Sequence, residues 1–106
     1  MKINSFWQSW KDKSSIEKRA IISMKKAINF LFSNIPKKNI ASIYIKGSFV
    51  TREMNKKSDI DIVPILKDNN VLKKLKVIRD KNKEMLKPSE LLPITLTELK
   101  KNKNSK

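Results

Sequence analysis

The stretch from Ile43 to Leu66, IYIKGSFVTREMNKKSDIDIVPIL, decides the fold expected for this chain of 106 residues. Both ends of the stretch are rich in β-branched residues, which favour strands, and its middle is polar. A strand is therefore predicted over Ile40–Lys46 and a second over Asp59–Leu66. Because Pro64 cannot donate a main-chain hydrogen bond, we expect a sheet edge or a strand end at this position.

A phosphate-binding turn is predicted at Gly47 and Ser48, directly after the first strand. Gly47 is the only glycine of the chain, and the lack of a side chain lets its main chain approach a ligand closely. The residues that follow, Phe49–Asn55, are predicted to form a short helix, so that Ser48 would stand at a helix N-terminus. Free N–H groups there favour a phosphate, and the serine hydroxyl could donate to it. Taken alone, a Gly-Ser pair after a strand is often only a turn.

Two aspartates, Asp59 and Asp61, open the second strand, and ten residues separate Asp59 from Ser48. Residues two apart on a strand project from the same face, so the two carboxylates would be neighbours. Neighbouring carboxylates repel each other unless a positive charge lies between them, and a divalent cation could supply it. Placing acids at the mouth of an apolar strand costs desolvation unless they are exposed or used. The pattern predicts a metal site that could bridge to nucleotide phosphates.

The rest of the chain predicts helices and one more strand. Ser14 and Glu17 have the spacing of a capping box, so a helix is expected to begin there and to end before Pro36. The predicted elements are a short helix or arm over 1–13, a helix over Ser14–Ile35, a helix over Asn70–Met85, a strand over Leu91–Leu96 shortened by Pro93, a short helix over Thr97–Lys101 and a frayed tail over Asn102–Lys106. Together they predict one α+β domain spanning 1–106, a small mixed β-sheet flanked by helices.

The composition excludes several kinds of site. The chain has no cysteine and no histidine, so it can form neither a disulfide nor a Cys/His zinc site, and it has no Ser-His nucleophile. Any metal must be held by oxygen ligands, which favours Mg²⁺ or Mn²⁺. No apolar run reaches the roughly 20 residues needed to cross a bilayer, and the first ten residues lack a signal-peptide core. We therefore expect a cytoplasmic protein with no membrane association.

The charge is strongly positive, +15 from 25 basic and 10 acidic residues. Such a balance favours polyanionic partners, namely nucleic acid, nucleotides or an acidic protein. Most of the basic residues are lysines scattered among asparagines and isoleucines, which a compositional bias would explain equally well.

The combination of Gly47-Ser48, ten further residues and Asp59-x-Asp61 resembles the signature of the polymerase-beta-like nucleotidyltransferases. The short chain is similar to the minimal nucleotidyltransferases (MNT) of that superfamily. The resemblance implies the polymerase-beta-like nucleotidyltransferase fold. It also implies that Gly47 and Ser48 hold a nucleoside triphosphate and that Asp59 and Asp61 bind Mg²⁺ (or Mn²⁺) as catalytic residues.

The family usually takes a third carboxylate from a later strand, but the predicted strand Leu91–Leu96 contains no acid. Glu90, just before it, is the candidate for this catalytic and metal-binding role, and Glu98, just after it, is the reserve. Nucleotide-binding roles are also predicted for Arg52, which could reach a phosphate, and for Ser58 beside the aspartates. Lys46 is a weaker candidate of the same kind. An exposed arginine and a serine that only shapes the turn are the structural alternatives.

Minimal nucleotidyltransferases are typically paired with HEPN-domain ribonucleases in what resembles a toxin–antitoxin module. The resemblance therefore implies transfer of AMP from ATP to a HEPN-domain partner, which silences that partner. Two alternatives stay open from the sequence. One is nucleotidyl transfer to an RNA acceptor, and the other is a non-catalytic protein that binds its partner and keeps the fold. Oligomerisation is compatible with each of these three hypotheses.

Overall fold

The computed structural model describes the backbone of residues 6–104 and the side chains of residues 6–101. After a 3-10 turn at Phe6–Ser9, the elements are α1 (Ser15–Asn34), a 3-10 turn (Lys37–Asn39), β1 (Ile40–Lys46), β2 (Ile60–Leu66), α2 (Asn69–Lys81), α3 (Lys83–Leu86), β3 (Ser89–Leu91), β4 (Ile94–Thr95) and α4 (Leu96–Asn104). The predicted α+β class, a mixed sheet flanked by helices, is confirmed.

Helix α1 begins and ends where its sequence predicts. The Glu17 N–H donates to Ser14 Oγ at 3.1 Å, and the Ser14 N–H donates to Glu17 Oε1 at 3.0 Å, which completes a capping box. At the other end the Ile35 N–H donates to Leu31 O at 2.9 Å before Pro36. The buried residues of α1 include Ala20, Met24, Ala27, Ile28 and Leu31. Their helical spacing gives one apolar face against the core.

Strand β2 is the centre of the sheet. It pairs antiparallel with β1 on one side and parallel with both β3 and β4 on the other. The prediction that Pro64 marks an edge or a strand end is therefore wrong. The Ile60 N–H donates to Pro88 O at 3.0 Å, and Ile62 O accepts from the Leu92 N–H at 2.8 Å. By strand alternation the Pro64 nitrogen points the same way, toward the break between β3 and β4, where no ladder bond is lost.

The two faces of β2 have different surroundings. Ile60 and Ile62 are fully buried and belong to the same core cluster as Met24 of α1. On β3, Ser89 also faces this helix, since its hydroxyl is 2.8 Å from that of Ser23. Successive strand residues point to opposite faces, so Asp61 and Glu90 project from the face away from α1.

Four other elements differ from their predicted form. Phe49–Asn55 forms turns and no helix. The predicted helix Asn70–Met85 is divided at Asn82 into α2 and α3. In place of the predicted strand Leu91–Leu96 there are two short strands, β3, which begins two residues earlier at Ser89, and β4. The last helix is longer than predicted, because α4 continues to Asn104 through most of the tail expected to fray.

The N-terminal arm packs on the core through aromatic rings. Trp7 is buried, and the ring centroids of Phe6, Trp7 and Trp10 lie 5.9, 6.1 and 5.1 Å from that of the fully buried Phe49. Of the predicted short helix or arm over 1–13, Phe6–Ser9 form a 3-10 turn and residues 1–5 lie outside the described residues. In the described part of the chain, no helix has both the length and the apolar character that crossing a bilayer requires.

Candidate active site

Gly47 occupies a position that only glycine suits. Its φ is +96°, in the region that side chains rarely adopt. A Cβ placed on Gly47 would lie 3.4 Å from Asp61 Oδ2, so the turn passes directly beside that carboxylate. The structure therefore brings together the Gly47 main chain and one of the two predicted metal-binding aspartates.

The loop after Gly47 is a series of turns. The Val50 N–H donates to Gly47 O at 3.1 Å, and the Glu53 N–H donates to Ser48 O at 2.9 Å. No helix begins at Ser48, so the predicted contribution of a helix N-terminus to phosphate binding is wrong for this loop. The Ser48 hydroxyl makes no hydrogen bond to any described residue and remains able to donate to a ligand.

Glu90 lies in β3, one residue inside the strand, and not before it as the sequence suggested. In the parallel ladder of β2 and β3 it is the register partner of Asp61. On its other side Asp61 is the register partner of Lys46 at the end of β1. Register partners share a face, so Lys46, Asp61 and Glu90 form a row across the sheet.

Asp59 and Glu98 have contrasting positions. Asp59 immediately precedes β2 and lines a pocket together with Glu90. Glu98 lies in α4, with its N–H donating to Thr95 Oγ1 at 3.2 Å. Thr95 pairs with Leu66, five residues and about 16 Å along β2 from Asp61. The structure thus brings Glu90 beside the aspartates and places Glu98 toward the other end of the strand.

The acidic residues are neighbours in the sheet, but their side chains do not converge into a complete metal site. Among the residues with described side chains, no three acidic groups converge as ligands of one metal ion. Asp59 and Glu90 are exposed, while Asp61 is half-buried. Exposed carboxylates of like charge separate by rotation of their side chains, which water permits at little cost.

Arg52 is bound by a second group of residues, which includes Glu17 of α1. Its Nε and Nη2 donate to the two carboxylate oxygens of Glu17, each at 2.9 Å, and its guanidinium carbon lies 4.5 Å from the ring centroid of Trp10. We call Trp10, Glu17 and Arg52 the clasp. The hydrogen bonds from Arg52 lower the pKa of the buried Glu17 carboxyl to about 2. The backbone at Arg52 has a φ of +61°, which the clasp helps to hold.

The remaining predicted residues have simple positions. Ser58 Oγ accepts from the Asn55 N–H at 3.0 Å, so this serine shapes the loop as its structural alternative proposed. The sequence identified Glu17 only as a helix cap, and its pairing with Arg52 across 35 residues could not be read from local spacing.

A pocket of about 310 Å³ adjoins the carboxylates on the β3 side of the sheet. Its walls include two acids and three cations, namely Asp59, Glu90, Arg79, Lys83 and Lys87. We call it the elbow pocket, because α2 and α3 meet beside it at Asn82. Sequence reasoning missed these three cations, since lysine and arginine are abundant along both helices and nothing marks these three.

Comparison with known proteins finds a matching family. The family described as polymerase beta, nucleotidyltransferase, matches residues 25–105, more than half of the chain. The matched part contains Gly47, Asp59, Asp61 and Glu90, and it excludes Glu17. A search of curated proteins found no match. A search of solved structures found none either.

Proposed function

The chain belongs to the polymerase beta nucleotidyltransferase family, and from that premise we propose that it transfers AMP from ATP to a protein hydroxyl in the cytoplasm. One observation carries the proposal. The turn at Gly47 lies against Asp61, and Asp61 is in register with Glu90. The Gly47 main chain, where a phosphate could approach, and two carboxylates therefore lie together at the N-terminal end of β2.

The Gly47–Ser48 turn would bind the triphosphate. Gly47 leaves space for an oxyanion beside its main chain, and the Ser48 hydroxyl donates to a phosphate oxygen. Lys46 stands in register with Asp61 on the same face and supplies a positive charge near the phosphates. In this account Arg52 acts on the loop through the clasp and does not bind the nucleotide itself.

The donor set fits a divalent cation. Asp59, Asp61 and Glu90 offer only carboxylate oxygens, which suit Mg²⁺ or Mn²⁺. Modest rotation of the exposed Asp59 and Glu90 side chains would bring them toward Asp61. When bound, such an ion neutralises charge that develops on the triphosphate. The carboxylates orient the nucleotide between the Gly47 turn and the acceptor.

The proposed transfer forms one bond to phosphorus and breaks another. The acceptor hydroxyl oxygen forms a bond to the α-phosphorus of ATP, and the bond from that phosphorus to the bridging oxygen breaks. Pyrophosphate leaves with the bonding electrons, and Glu90 accepts the hydroxyl proton and passes it to water. Positioning and charge neutralisation supply most of the rate in such a reaction.

The acceptor proposed is a HEPN-domain protein, with this chain as the antitoxin of the pair. The resemblance of the chain to minimal nucleotidyltransferases supports this choice, and the charge of +15 suits an acidic protein surface. The same charge favours RNA as the second candidate acceptor.

Incubation with ATP labelled at the α-phosphate, Mg²⁺ and either the candidate partner protein or RNA tests the proposal. Label on the partner protein is expected. Label on RNA would show that the acceptor is RNA and not a protein. A stable complex without label would show that the chain binds its partner without catalysing transfer. An Asp61→Asn variant is the matched control, because it removes the central carboxylate and leaves the apolar strand intact.

A further inference from the structure

The elbow pocket lies on the opposite side of β2 from the phosphate turn. β1 and Gly47 flank one side of β2, and β3 with Glu90 flanks the other. A nucleotide held at Gly47 would therefore reach the row of carboxylates from one side. The elbow pocket contains Glu90 of that row, together with Asp59, and lies on the other side of β2. If pyrophosphate leaves on the Gly47 side, in-line attack on the α-phosphorus comes from this opposite side.

The cations of the elbow pocket are fixed to different degrees. Arg79 Nη1 donates to Leu91 O at 3.1 Å, and Arg79 Nε donates to Asp80 at 3.0 Å. These bonds anchor the guanidinium to β3 and leave its remaining N–H groups able to donate. Lys83 makes no ion pair with any other residue in 6–101. Lys87 lies 3.2 Å from the exposed Glu84. One arginine anchored to β3 and two exposed lysines thus surround a pocket that contains a candidate proton acceptor.

We infer that the elbow pocket binds an acidic hydroxyl-bearing protein segment, in which a carboxylate side chain lies next to the accepting hydroxyl. The inference rests on the proposed function and names the acceptor class for it. The carboxylate of the segment pairs with Arg79 and Lys83, and this pairing directs the hydroxyl to Glu90. Without that pairing an acidic segment would be repelled by Asp59 and Glu90.

The distribution of charge favours a protein segment over a nucleic acid strand. A strand carries a phosphate at every nucleotide and needs a continuous basic track. Here Asp80 and Glu84 interrupt the cations, and Asp59 and Glu90 lie in the pocket itself. Discrete cations separated by acids suit isolated carboxylates. A volume of about 310 Å³ is at the small end of ligand pockets and accommodates one side chain with its neighbour.

Binding of short peptides to the full chain, without ATP, tests the inference. Tripeptide amides with a central serine, threonine or tyrosine are compared in two forms, one flanked by aspartates and one by asparagines. Titrations followed by ¹⁵N NMR report both affinity and location. We expect the acidic form to bind roughly tenfold more tightly, and the amide signals of 89–91 and the Arg79 Nε signal to shift.

Two variants make the test specific. Lys83→Ala removes an exposed cation of the pocket, and we expect it to reduce the preference for the acidic form about threefold. Lys74→Ala, at an exposed position of α2 away from the pocket, is the matched control and should leave the preference unchanged. Equal binding of both forms, no binding of either, or equal effects of the two variants would overturn the inference. A single-stranded RNA oligonucleotide that shifts the same signals more strongly would also overturn it.

Failure of this inference can be distinguished from failure of the proposed function. ATP binding is measured in the same samples through the signals of 47–48. If ATP binds and the acidic peptides show no preference, only the acceptor class is wrong. If acidic peptides bind the elbow pocket and Mg²⁺-ATP does not bind near Gly47, the proposed transfer is wrong.

Discussion

The two sides of β2 are built in opposite ways. On the β1 side, the loop between Gly47 and Asp59 is held by the clasp and by Phe49, whose ring packs among the aromatic residues of the N-terminal arm. On the β3 side, the elbow pocket is lined by exposed acids and lysines, and Arg79 is its anchored cation. Under the proposed function the two sides meet different demands. A triphosphate must be held in one geometry, whereas an acceptor must enter and leave after each transfer.

The largest effect is expected at the carboxylates that both sides share. Asp61→Asn and Asp59→Asn should each lower transfer at least about a thousandfold, because charge on the triphosphate is no longer neutralised through them. Glu90→Gln should also abolish most activity. Glu98→Gln is the matched control, since Glu98 lies toward the other end of β2. Initial rates with labelled ATP measure all four. Full activity of Glu90→Gln would assign the third carboxylate elsewhere.

Gly47→Ala should damage the β1 side specifically. At a φ of +96° an added Cβ is strained, and it would lie 3.4 Å from Asp61 Oδ2. We expect nucleotide affinity to fall about tenfold or more, while peptide binding at the elbow pocket is unchanged. Calorimetric titration with Mg²⁺-ATP measures the first quantity. An alanine variant with unaltered nucleotide affinity would show that the turn does not approach the phosphates.

The sequence predicts local features of this molecule well and long-range ones poorly. The β-branched residues of Ile40–Lys46 and the capping residues of α1 act through neighbours in the chain, and β1 has the predicted bounds. Three β-branched or aromatic residues within Phe49–Thr51 gave no basis for recognising turns there. The hydrogen bonds of Arg52 join that loop to Glu17, a residue 35 positions away.

The residues of the candidate site also differ in whether local sequence or the folded sheet determines their positions. The spacing of Gly47 and the aspartates marks three positions of the site from local sequence alone. The position of Glu90 depends on the register between β2 and β3, which only the folded sheet determines. The division of the second long helix at Asn82, where the Asn82 side chain donates to Ile78 O at 2.8 Å, likewise creates the elbow pocket from residues that look ordinary in sequence.

Glu17→Gln should loosen the clasp without removing the helix cap. Glutamine can still accept the Ser14 N–H, but it loses the charge that pairs with Arg52. We expect the KM for ATP to rise about threefold to tenfold with a smaller change in kcat, because the loop is held less firmly. Ser14→Ala weakens the cap by about 1 kcal/mol and spares the ion pair, so it is the control. Equal KM values for both variants would show that the clasp only stabilises the fold.

The smallest effect is a pH dependence of stability. The pKa of Glu17 is lowered from 4.5 to about 2 by its hydrogen bonds with Arg52 and Ser14, so between these values the unfolded chain binds the proton more readily. The stabilisation by Glu17 is complete above pH 4.5 and is lost as the pH falls toward 2. Urea unfolding at pH 6, 4 and 2.5 should show a decline that Glu17→Gln makes shallower. An identical decline in both proteins would show that protonation of Glu17 does not cause the loss of stability.

Binding of Mn²⁺-ATP, followed by the paramagnetic broadening of NMR signals, tests whether one metal ion lies among the Gly47 turn, the two aspartates and Glu90. Broadening depends on distance from the ion, so it locates the ion among the strands. We expect strong broadening at 47–48, 59–61 and 89–91 together, with much weaker broadening at 95–98. Stronger broadening at 95–98 than at 59–61, or none at 89–91, would contradict this expectation.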